Sequence, residues 1–484
     1  MDFGQTHLGG LISSSQHDEK AKHYVVGSRI KMGCELMKNL YGKSWHVKLV
    51  ENSYGQVIVT SQASVIYDSV KANHPFVKLL QEYVKKMDVV GDGAKLFVLL
   101  VSDLLSEMLV GVDKGMKPAL LSGMLREMHK EIDGIAGDLK IEHRIDFEDL
   151  ESIRKVLRGV VKDELLERIV SEGVRCTRGF ESEDIRVCKV GCGSMEDSYV
   201  VEGMVFNRAP EGEVNSVKNG RTSIYNCGVE ISRTELKGTV LLRTAEELLA
   251  FSKDEDARTL KMVESLSADV IVCSGKVDRI YLDFLNKSGK LVFKVSSKHD
   301  LRRIREVMGG HISSSLCTQA EDLMGEIDEV VVFSEGKEKY TKFVSKSKKK
   351  YTLVLKSSVK AMLDEHERIV QKALVVLSKN VNDGKIWLVE GAGRFERRMS
   401  KKMMERSGNE SGSRGFVYKC VGNALGRYKQ YDEEIYDVYN AKVKALKYAV
   451  EFVAMFFETS DYLIGKPEAM SINARENQSW DEDH

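Results

Sequence analysis

The chain changes its hydrophobic periodicity twice, and this change constrains its fold more than any other feature of the sequence. From Ala94 to Ile141 apolar residues recur at the spacing of an α-helix, and the same spacing returns from Ile435 to Phe457. Between these regions, Ile185–Val190 and Glu202–Phe206 alternate and are punctuated by glycine, which predicts strands. Two helical ends that enclose an α/β insert must fold together into one discontinuous domain.

The insert contains a predicted strand, helix and strand in succession. Ser267–Gly275 and Lys290–Val295 are short apolar runs that predict strands, and a helical stretch near Tyr281–Leu285 separates them. Tyr351–Lys356 predicts one more strand before Ala361–Ser378 returns to a long helix. The middle of the chain is therefore predicted to be a mixed α/β domain.

The length of the chain, 484 residues, exceeds what one hydrophobic core usually serves, so two to four domains are expected. The polar, glycine-containing stretch Glu405–Gly415 predicts a mobile loop. Glu476–His484 predicts a disordered tail.

Charge and cysteine content argue against several functions. Lys plus Arg and Asp plus Glu both total 73, which gives no electrostatic reason to expect nucleic acid or a membrane as the main partner. The basic run Lys346–Lys350 lacks interleaved aromatic residues and is expected to be a solvated loop. Eight dispersed cysteines indicate a reducing compartment. Cys188 and Cys192 are the closest pair, but no second pair follows at the spacing of a zinc site.

No targeting or membrane-spanning segment is expected from the sequence. Met1–Lys20 is polar and lacks the basic flank and apolar centre of a signal peptide. The longest apolar run, Leu96–Val101, is far too short to span a bilayer. A soluble, cytoplasmic protein is therefore predicted.

A Gly91-Asp92-Gly93 turn stands directly before the apolar helix that begins near Ala94. Two glycines allow backbone to approach a ligand closely, and the start of a helix attracts anions. Asp92 between them would repel a phosphate unless it holds a divalent cation, such as the Mg²⁺ of a nucleotide. The tripeptide alone is more often an ordinary turn and helix cap than a nucleotide site.

Several motifs resemble the group II chaperonins. Val59–Ile66, the His-Pro step in Asn73–Pro75 and the Gly91–Gly93 turn follow one another in the order of that family's equatorial domain. Further segments are similar to one subunit type of the eukaryotic cytosolic chaperonin, TRiC/CCT, and lie at Ile185–Lys189, Gly203–Phe206, Glu211–Val214, Lys237–Leu241, Thr244–Leu248, Phe251–Lys253 and Ser297–Arg303. The resemblance extends from about Ile30 to Pro467.

This resemblance implies a multi-domain α and α/β fold, the chaperonin fold. A helical equatorial domain is expected from residues 1–130 and 392–484. An α/β intermediate domain from 131–202 and 351–391 and an α/β apical domain from 203–350 are expected to be inserted in nested order. An apical protrusion is expected around Leu236–Val263, although its amphipathic stretch Glu246–Phe251 is equally consistent with a packed helix.

The family also implies partners and a reaction cycle. Its members assemble with other chaperonin subunits into two stacked eight-membered rings. ATP binding and hydrolysis, with Mg²⁺, close a lid over unfolded clients such as actin and tubulin. His299, Arg302 and Arg303 are expected on an apical surface that contacts either a client or a neighbouring subunit.

The residues that match the family's nucleotide site carry their expected roles only through this resemblance. Asp92 is the expected metal ligand. The expected nucleotide-binding residues are Gly42, Lys48, Thr60, Gly91, Asp92, Gly93, Gly391, Gly393 and Asp437. Gly415 is a further candidate on the nucleoside side, and the connection from Glu396 to Asp437 is about half the length that the family usually has.

The site also departs from the family pattern. Gln62 stands where the family has an Asp that orients water, and an amide cannot accept a proton from that water. Lys372 replaces a second catalytic Asp. Trp45 and Lys43 replace a glycine and a proline of the phosphate loop, and Lys95 is expected to pair with the carboxylate in place of a missing cation.

Three hypotheses follow from these replacements. The favoured one is a chaperonin subunit that is a weak or silent ATPase with a structural and client-contact role. A subunit with full ATPase activity is the first alternative, and it requires Gln62 together with Asp364 or Glu365 to substitute for the missing carboxylates. A free-standing interaction protein derived from a chaperonin subunit is the second alternative.

Overall fold

The helices and strands largely follow the order that the periodicity predicts. A computed structural model describes residues 16–42, 46–52, 55–70, 74–177, 182–230, 244–317, 319–346 and 350–460. Its first part contains α1 (Gln16–Glu35), β1 (Lys48–Glu51), β2 (Val57–Thr60), α2 (Ala63–Ser69), α3 (Pro75–Val90), α4 (Ala94–Asp113), α5 (Pro118–Ala136), β3 (Ile141–Arg144), α6 (Leu150–Leu157) and α7 (Glu164–Thr177).

The remaining elements complete the insert and return to long helices. The insert contains β4 (Ile185–Val190), β5 (Tyr199–Phe206), β6 (Ser216–Tyr225), α8 (Ala245–Ser265), β7 (Val270–Cys273), α9 (Arg279–Lys287), β8 (Leu291–Lys294), α10 (Lys298–Met308), β9 (Ile312–Ser313), β10 (Gly325–Glu335), β11 (Glu338–Val344) and β12 (Tyr351–Lys356). The last part contains α11 (Lys360–Asn380), β13 (Lys385–Glu390), α12 (Arg394–Asn409), α13 (Gly412–Gly426), β14 (Tyr436–Val438) and α14 (Tyr439–Glu458).

The two ends of the chain share one hydrophobic core, as the periodicity predicts. α4 is apolar on nearly all sides, which is typical of a helix enclosed by others. It packs against α1, α13 and α14. Phe97 of α4 and Phe76 of α3 meet Phe452 of α14 edge to face, with ring centroids 6.4 and 6.2 Å apart. The nested order of the chaperonin fold class is thereby confirmed, while the predicted domain bounds stay a prediction.

The insert is built on a mixed sheet with strand order β4-β12-β5-β11-β10-β6-β7-β8, and β9 lies beside β6. β7 and β8 are parallel, with Val270 opposite Leu291, and α9 connects them. Successive β7 residues enter separate hydrophobic clusters on the two faces of the sheet. Burial on both faces explains the continuous apolar run of this strand, in which every residue is buried.

A second sheet, with order β14-β13-β3, supports the region between the helical core and the insert. The sequence predicted one helix from Ile435 to Phe457, but its first residues form β14, with Val438 opposite Leu388 of β13. α14 therefore begins at Tyr439. The residues of β14 form a strand and not the first turn of the helix, because they pair with β13, which is distant in sequence.

The predicted mobile loop at Glu405–Gly415 is wrong, because these residues end α12 and begin α13. The hydroxyl of Ser407 donates to the carbonyl oxygen of Gly415 across 2.8 Å. A Cβ on Gly415 would lie 2.4 Å from the carbonyl oxygen of Glu410, so this glycine permits a tight junction between the helices. The small polar residues of this segment predicted a loop, but in the structure they allow α12 and α13 to pack closely.

Several expectations fall partly or wholly outside the described residues. The tail Glu476–His484 lies beyond them, as does the first part of the expected protrusion, whereas its second part belongs to α8. The carboxylate of Glu247 and the hydroxyl of Thr244 form a capping box at the start of α8. Within the described ranges, none of the helices combines the length and apolarity needed to cross a membrane.

Candidate functional site

Gly91, Asp92 and Gly93 form the turn between α3 and α4. Gly91 (φ 96°) and Gly93 (φ 92°) adopt the left-handed conformation, which residues with a Cβ rarely adopt. A Cβ on Gly91 would lie 2.7 Å from a methyl carbon of Val376 in α11. One on Gly93 would lie 2.8 Å from the carbonyl oxygen of Ala441 in α14. The glycines therefore let α11 and α14 approach the turn that carries Asp92.

Asp92 forms an ion pair with Lys372 of α11. The Nζ atom of Lys372 donates a hydrogen bond of 2.7 Å to Oδ1 of Asp92, and about a quarter of each side chain is exposed (28% and 25%). Burial raises the pKa of Asp92, but the charge of Lys372 and the amide of Gly93 outweigh burial and lower it overall. Asp92 is therefore ionised, with a side chain of the same protein as its counter-ion.

Lys95 and Lys162 add positive charge beside this ion pair. Burial, followed by the charges of Lys372 and Lys162, lowers the pKa of Lys95 to about 7. Lys162 donates a hydrogen bond to the carbonyl oxygen of Gly42, and burial lowers its pKa as well. The sequence predicted Lys95 as the ionic partner of Asp92, but the hydrogen-bonded pair is formed by Lys372 instead.

A second charged group is buried near Asp92, at the start of α14. The Nζ atom of Lys442 lies 2.6 Å from Oε1 of Glu396 and 2.9 Å from Oδ2 of Asp437, and it also donates to the hydroxyl of Tyr41. Burial opposes the charge of Lys442, but the two carboxylates raise its pKa well above its ordinary value. Burial also raises the pKa of Asp437. Asp437 is thus engaged with a lysine of α14.

The turn between β13 and α12 contributes the remaining glycines. Gly393 (φ 81°) precedes α12, and a Cβ there would lie 2.3 Å from the carbonyl oxygen of Lys429. A Cβ on Gly391 would lie 2.9 Å from Oδ2 of Asp437. Ala392 between them also has a positive φ of 53°. These residues hold the start of α12 close to the segment that carries Asp437.

A cavity of about 940 Å³ lies between these elements. Eleven Lys and Arg side chains and seven Asp and Glu side chains line it, so it favours anions over cations. The structure brings together in its wall the sequence-predicted residues Gly42, Asp92, Gly93, Lys372, Gly393 and Asp437.

The other predicted residues lie outside the cavity wall. Gly91 and Gly391 pack behind it, as their close contacts show. Thr60 is fully buried at the end of β2, opposite Lys48 of β1, and its hydroxyl accepts from the amide of Gln62. Gln62 precedes α2 and is half-buried. Lys48, Thr60 and Gln62 therefore do not line the cavity.

The two carboxylates that could replace a catalytic Asp have other partners. Glu365 is fully buried and accepts hydrogen bonds from the amide and the hydroxyl of Ser61, at 2.7 and 2.8 Å. It also pairs with Arg368 at 3.2 Å. Asp364 pairs with Lys189 of β4 at 2.6 Å. Neither carboxylate lines the cavity.

Two further predictions about the site have different outcomes. Lys43 and Trp45 of the expected phosphate loop lie outside the described residues. Gly415 belongs to the α12–α13 junction and does not line the cavity, so its expected nucleoside contact is not supported.

The side chains around Asp92 do not fit a divalent cation. Mg²⁺ prefers an octahedron of oxygen ligands. At a nucleotide, one or two carboxylates supply part of this shell beside phosphate oxygens and water, and Asp92 is the carboxylate expected to do so. A metal at Asp92 would have to displace the ammonium of Lys372 and remain near that of Lys162. The carboxylate expected to bind Mg²⁺ therefore already has a cation.

A helical domain made from both chain ends, an α/β insert and a Gly-Asp-Gly turn beside a basic cavity together define a chaperonin. The TCP-1/cpn60 chaperonin family matches residues 35–431, and the chain belongs to this family. It is 65% identical, over 100% of both chains, to T-complex protein 1 subunit theta of Encephalitozoon cuniculi.

More distant relatives share the same description. T-complex protein 1 subunit theta of Caenorhabditis briggsae is 28% identical over 84% of this chain and 78% of its own. The protein of that name from Saccharomyces cerevisiae is 28% identical over 72% and 66%. The predicted role as a chaperonin subunit, and the resemblance of the insert to one subunit type, are confirmed.

Sequence reasoning missed Lys162 and Lys442 as parts of the site. Lys442 does carry a signal, because it is a charged residue among the apolar positions of α14 that bury Ala441, Val443 and Ala445. A lysine at such a position needs a buried acidic partner. Lys162 follows α6 in an ordinary loop, and no comparable signal marks it.

Proposed function

We propose that this chain is a subunit of an ATP-driven, hetero-oligomeric cytosolic chaperonin, and that its own site hydrolyses ATP negligibly. The ion pair between Lys372 and Asp92 carries this proposal. ATP hydrolysis requires held phosphates, a divalent cation and a positioned water. The expected metal ligand, Asp92, already binds the ammonium of Lys372, which supports the proposal that the divalent cation is missing.

The positioning of the attacking water is also expected to be impaired. Gln62 can hold a water by hydrogen bonding but cannot take its proton, and Lys372 has the opposite charge to the Asp that it replaces. Loss of a positioning carboxylate costs several kcal/mol of barrier, or about a thousand-fold in rate. Because Asp364 and Glu365 are held by other cations, neither is free to substitute.

The cavity nevertheless supports weak nucleotide binding. Gly42, Gly93, Gly393 and Asp437 line it and would surround a bound nucleotide. Thr60 is assigned a supporting role, because its fully buried hydroxyl holds the start of α2 in place. The proposed ligand is ATP, held more weakly than in a hydrolysing subunit.

The proposed structural role places this subunit with other chaperonin subunits in two stacked eight-membered rings in the cytoplasm. Unfolded proteins such as actin and tubulin are the proposed clients. His299, Arg302 and Arg303 are exposed on α10 and provide a charged apical surface for either a client or a neighbour. Such a surface supports a role in contact that needs no hydrolysis by this chain.

The test is to measure steady-state phosphate release from assembled particles in which only this chain carries Asp92→Asn. We expect the rate per particle to equal that of the wild type, because Asp92 takes no part in hydrolysis. Asp138→Asn is a matched control, since it also removes a carboxylate charge that faces a lysine, Lys402, but on the exposed surface. If Asp92→Asn lowers the rate of phosphate release by one subunit's share and Asp138→Asn does not, the proposal is rejected.

Two alternatives make different predictions. If this subunit had full ATPase activity, Asp92→Asn would lower phosphate release per particle by the contribution of this subunit. A free-standing interaction protein would elute as a monomer in size-exclusion chromatography of cell extracts, whereas the proposed subunit should elute with a particle of about one megadalton.

A further inference from the structure

The walls of the cavity present several groups that attract anions. α4 and α12 both begin there, and each is preceded by a left-handed glycine, Gly93 and Gly393, without a side-chain cap. The start of an α-helix carries unpaired amide donors and a partial positive charge. Two long helices therefore begin at one cavity without side-chain acceptors of their own.

Lysine side chains reinforce this charge. Among the described residues, Lys95 has neither a hydrogen-bonded nor an ion-paired partner, although it lines the cavity. Lys162 has a carbonyl oxygen, that of Gly42, as its hydrogen-bond acceptor, and a carbonyl does not neutralise it. Burying such groups near one another is unfavourable unless an anion compensates them.

The wall carboxylate that was expected to bind a metal is already neutralised. Asp92 accepts from Lys372 at 2.7 Å, and Asp437, another wall carboxylate, accepts from Lys442 at 2.9 Å. A divalent cation at Asp92 would have to displace the ammonium of Lys372 and would lie near the ammonium groups of Lys95 and Lys162. A ligand that arrives without a metal meets no such penalty.

We propose that this cavity binds the phosphate chain of a nucleotide without a divalent cation: Lys372 takes the place of the cation on Asp92, and Lys95 and Lys162 supply the positive charge that attracts the phosphates. The inference rests on the proposed function, because it takes the loss of metal-dependent hydrolysis as given. It adds the ligand class: a metal-free polyphosphate anion with a nucleoside attached.

The experiment is isothermal titration of the full-length chain with sodium ATP, first in EDTA and then in excess Mg²⁺. We expect binding in EDTA, and affinity in Mg²⁺ that is equal or lower, because the metal neutralises the phosphates that the lysines attract. Inorganic tripolyphosphate serves as the second probe. We expect it to bind at least tenfold more weakly than ATP, because it lacks the nucleoside; equal affinities would overturn the assignment to a nucleotide.

Substitutions distinguish lysines that line the cavity from lysines elsewhere on the chain. Lys95→Met and Lys162→Met should each weaken ATP binding in EDTA at least tenfold. Lys379→Met removes an exposed lysine from the same helix as Lys372, outside the cavity, and should leave the affinity unchanged. Circular dichroism of each variant shows whether it has folded.

The outcomes distinguish this inference from the proposed function. Binding that requires Mg²⁺, or no binding in EDTA at millimolar ATP, would overturn the inference. If the same sample releases phosphate from ATP in Mg²⁺ and Asp92→Asn abolishes that release, the proposed function fails instead. Binding in EDTA without phosphate release in Mg²⁺ supports both.

Discussion

Lys372 and Asp92 lie 280 positions apart in sequence, yet their side chains share a hydrogen bond of 2.7 Å. The bond joins α11 to the turn that begins α4, and both side chains are mostly shielded from solvent. It converts the expected position of a metal ion into an internal ion pair. The same contact gives a partner to the lysine that stands at an expected catalytic carboxylate position, and it links two parts of the fold.

The first prediction concerns the strength of this link. A double-mutant cycle with Lys372→Met and Asp92→Asn should give a coupling free energy of about 1–2 kcal/mol, as expected for a partly buried, hydrogen-bonded ion pair. Urea unfolding of the four full-length chains measures it. Additive effects of the two substitutions would show that the pair contributes nothing to stability.

The second prediction concerns the packing of the Gly-Asp-Gly turn against α11. Gly91→Ala should destabilise the chain by about 1–3 kcal/mol more than Gly115→Ala, because its methyl group would collide with Val376. Gly115 is a matched control, since its φ of 90° is almost as strained but nothing lies within 4 Å of its Cβ position. Equal losses in urea unfolding would mean that backbone strain alone acts at Gly91.

The third prediction concerns the buried lysine of α14. Lys442→Met leaves Glu396 and Asp437 without their shared cation and should cost about 3 kcal/mol of unfolding free energy. Lys444→Met, two residues along the same helix and without an ion pair in the described structure, should cost less than about 0.5 kcal/mol. A small loss at Lys442 would indicate that the carboxylates are protonated or hydrated.

The sequence predicted the fold better than the site, for physical reasons. Tyr351–Lys356 forms β12 with the predicted bounds, because a short apolar run between turn residues has few other conformations. Asp92 was found because its flanking glycines are a local signal. Its pairing with Lys372 was not, because an ion pair depends on where two helices meet, and the sequence showed only that a charge had been reversed.

Lys442 shows the same limit more clearly. Its partners Glu396 and Asp437 come from α12 and from β14, and only the tertiary structure brings them within 3 Å of its Nζ atom. The loop predicted at Glu405–Gly415 failed for a related reason. Glycine and serine favour turns locally, whereas here they allow α12 and α13 to pack closely.

The fourth prediction is a pH dependence of ATP binding in EDTA. The pKa of Lys95 is about 7 in the free chain, with Lys372, Lys162, Asp92 and Glu365 as the charged groups that act on it. A bound anion favours the protonated ammonium, so above pH 7 the site must take up a proton when ATP binds. Affinity should therefore fall about tenfold per pH unit above pH 7.

Titrations between pH 7.5 and 9 measure this slope. Lys95→Met has no ammonium to protonate and should bind ATP more weakly but with a shallower pH dependence. An unchanged slope in this variant would assign the proton uptake to another group.

The most direct measurement of the central claim is a high-resolution map of the assembled particle in ATP and Mg²⁺. We predict that Lys372 remains within about 3 Å of Asp92 in this subunit and that no metal ion lies beside the carboxylate, with or without a nucleotide in the cavity. A Mg²⁺ ion coordinated by Asp92, with the side chain of Lys372 turned away, would contradict the account.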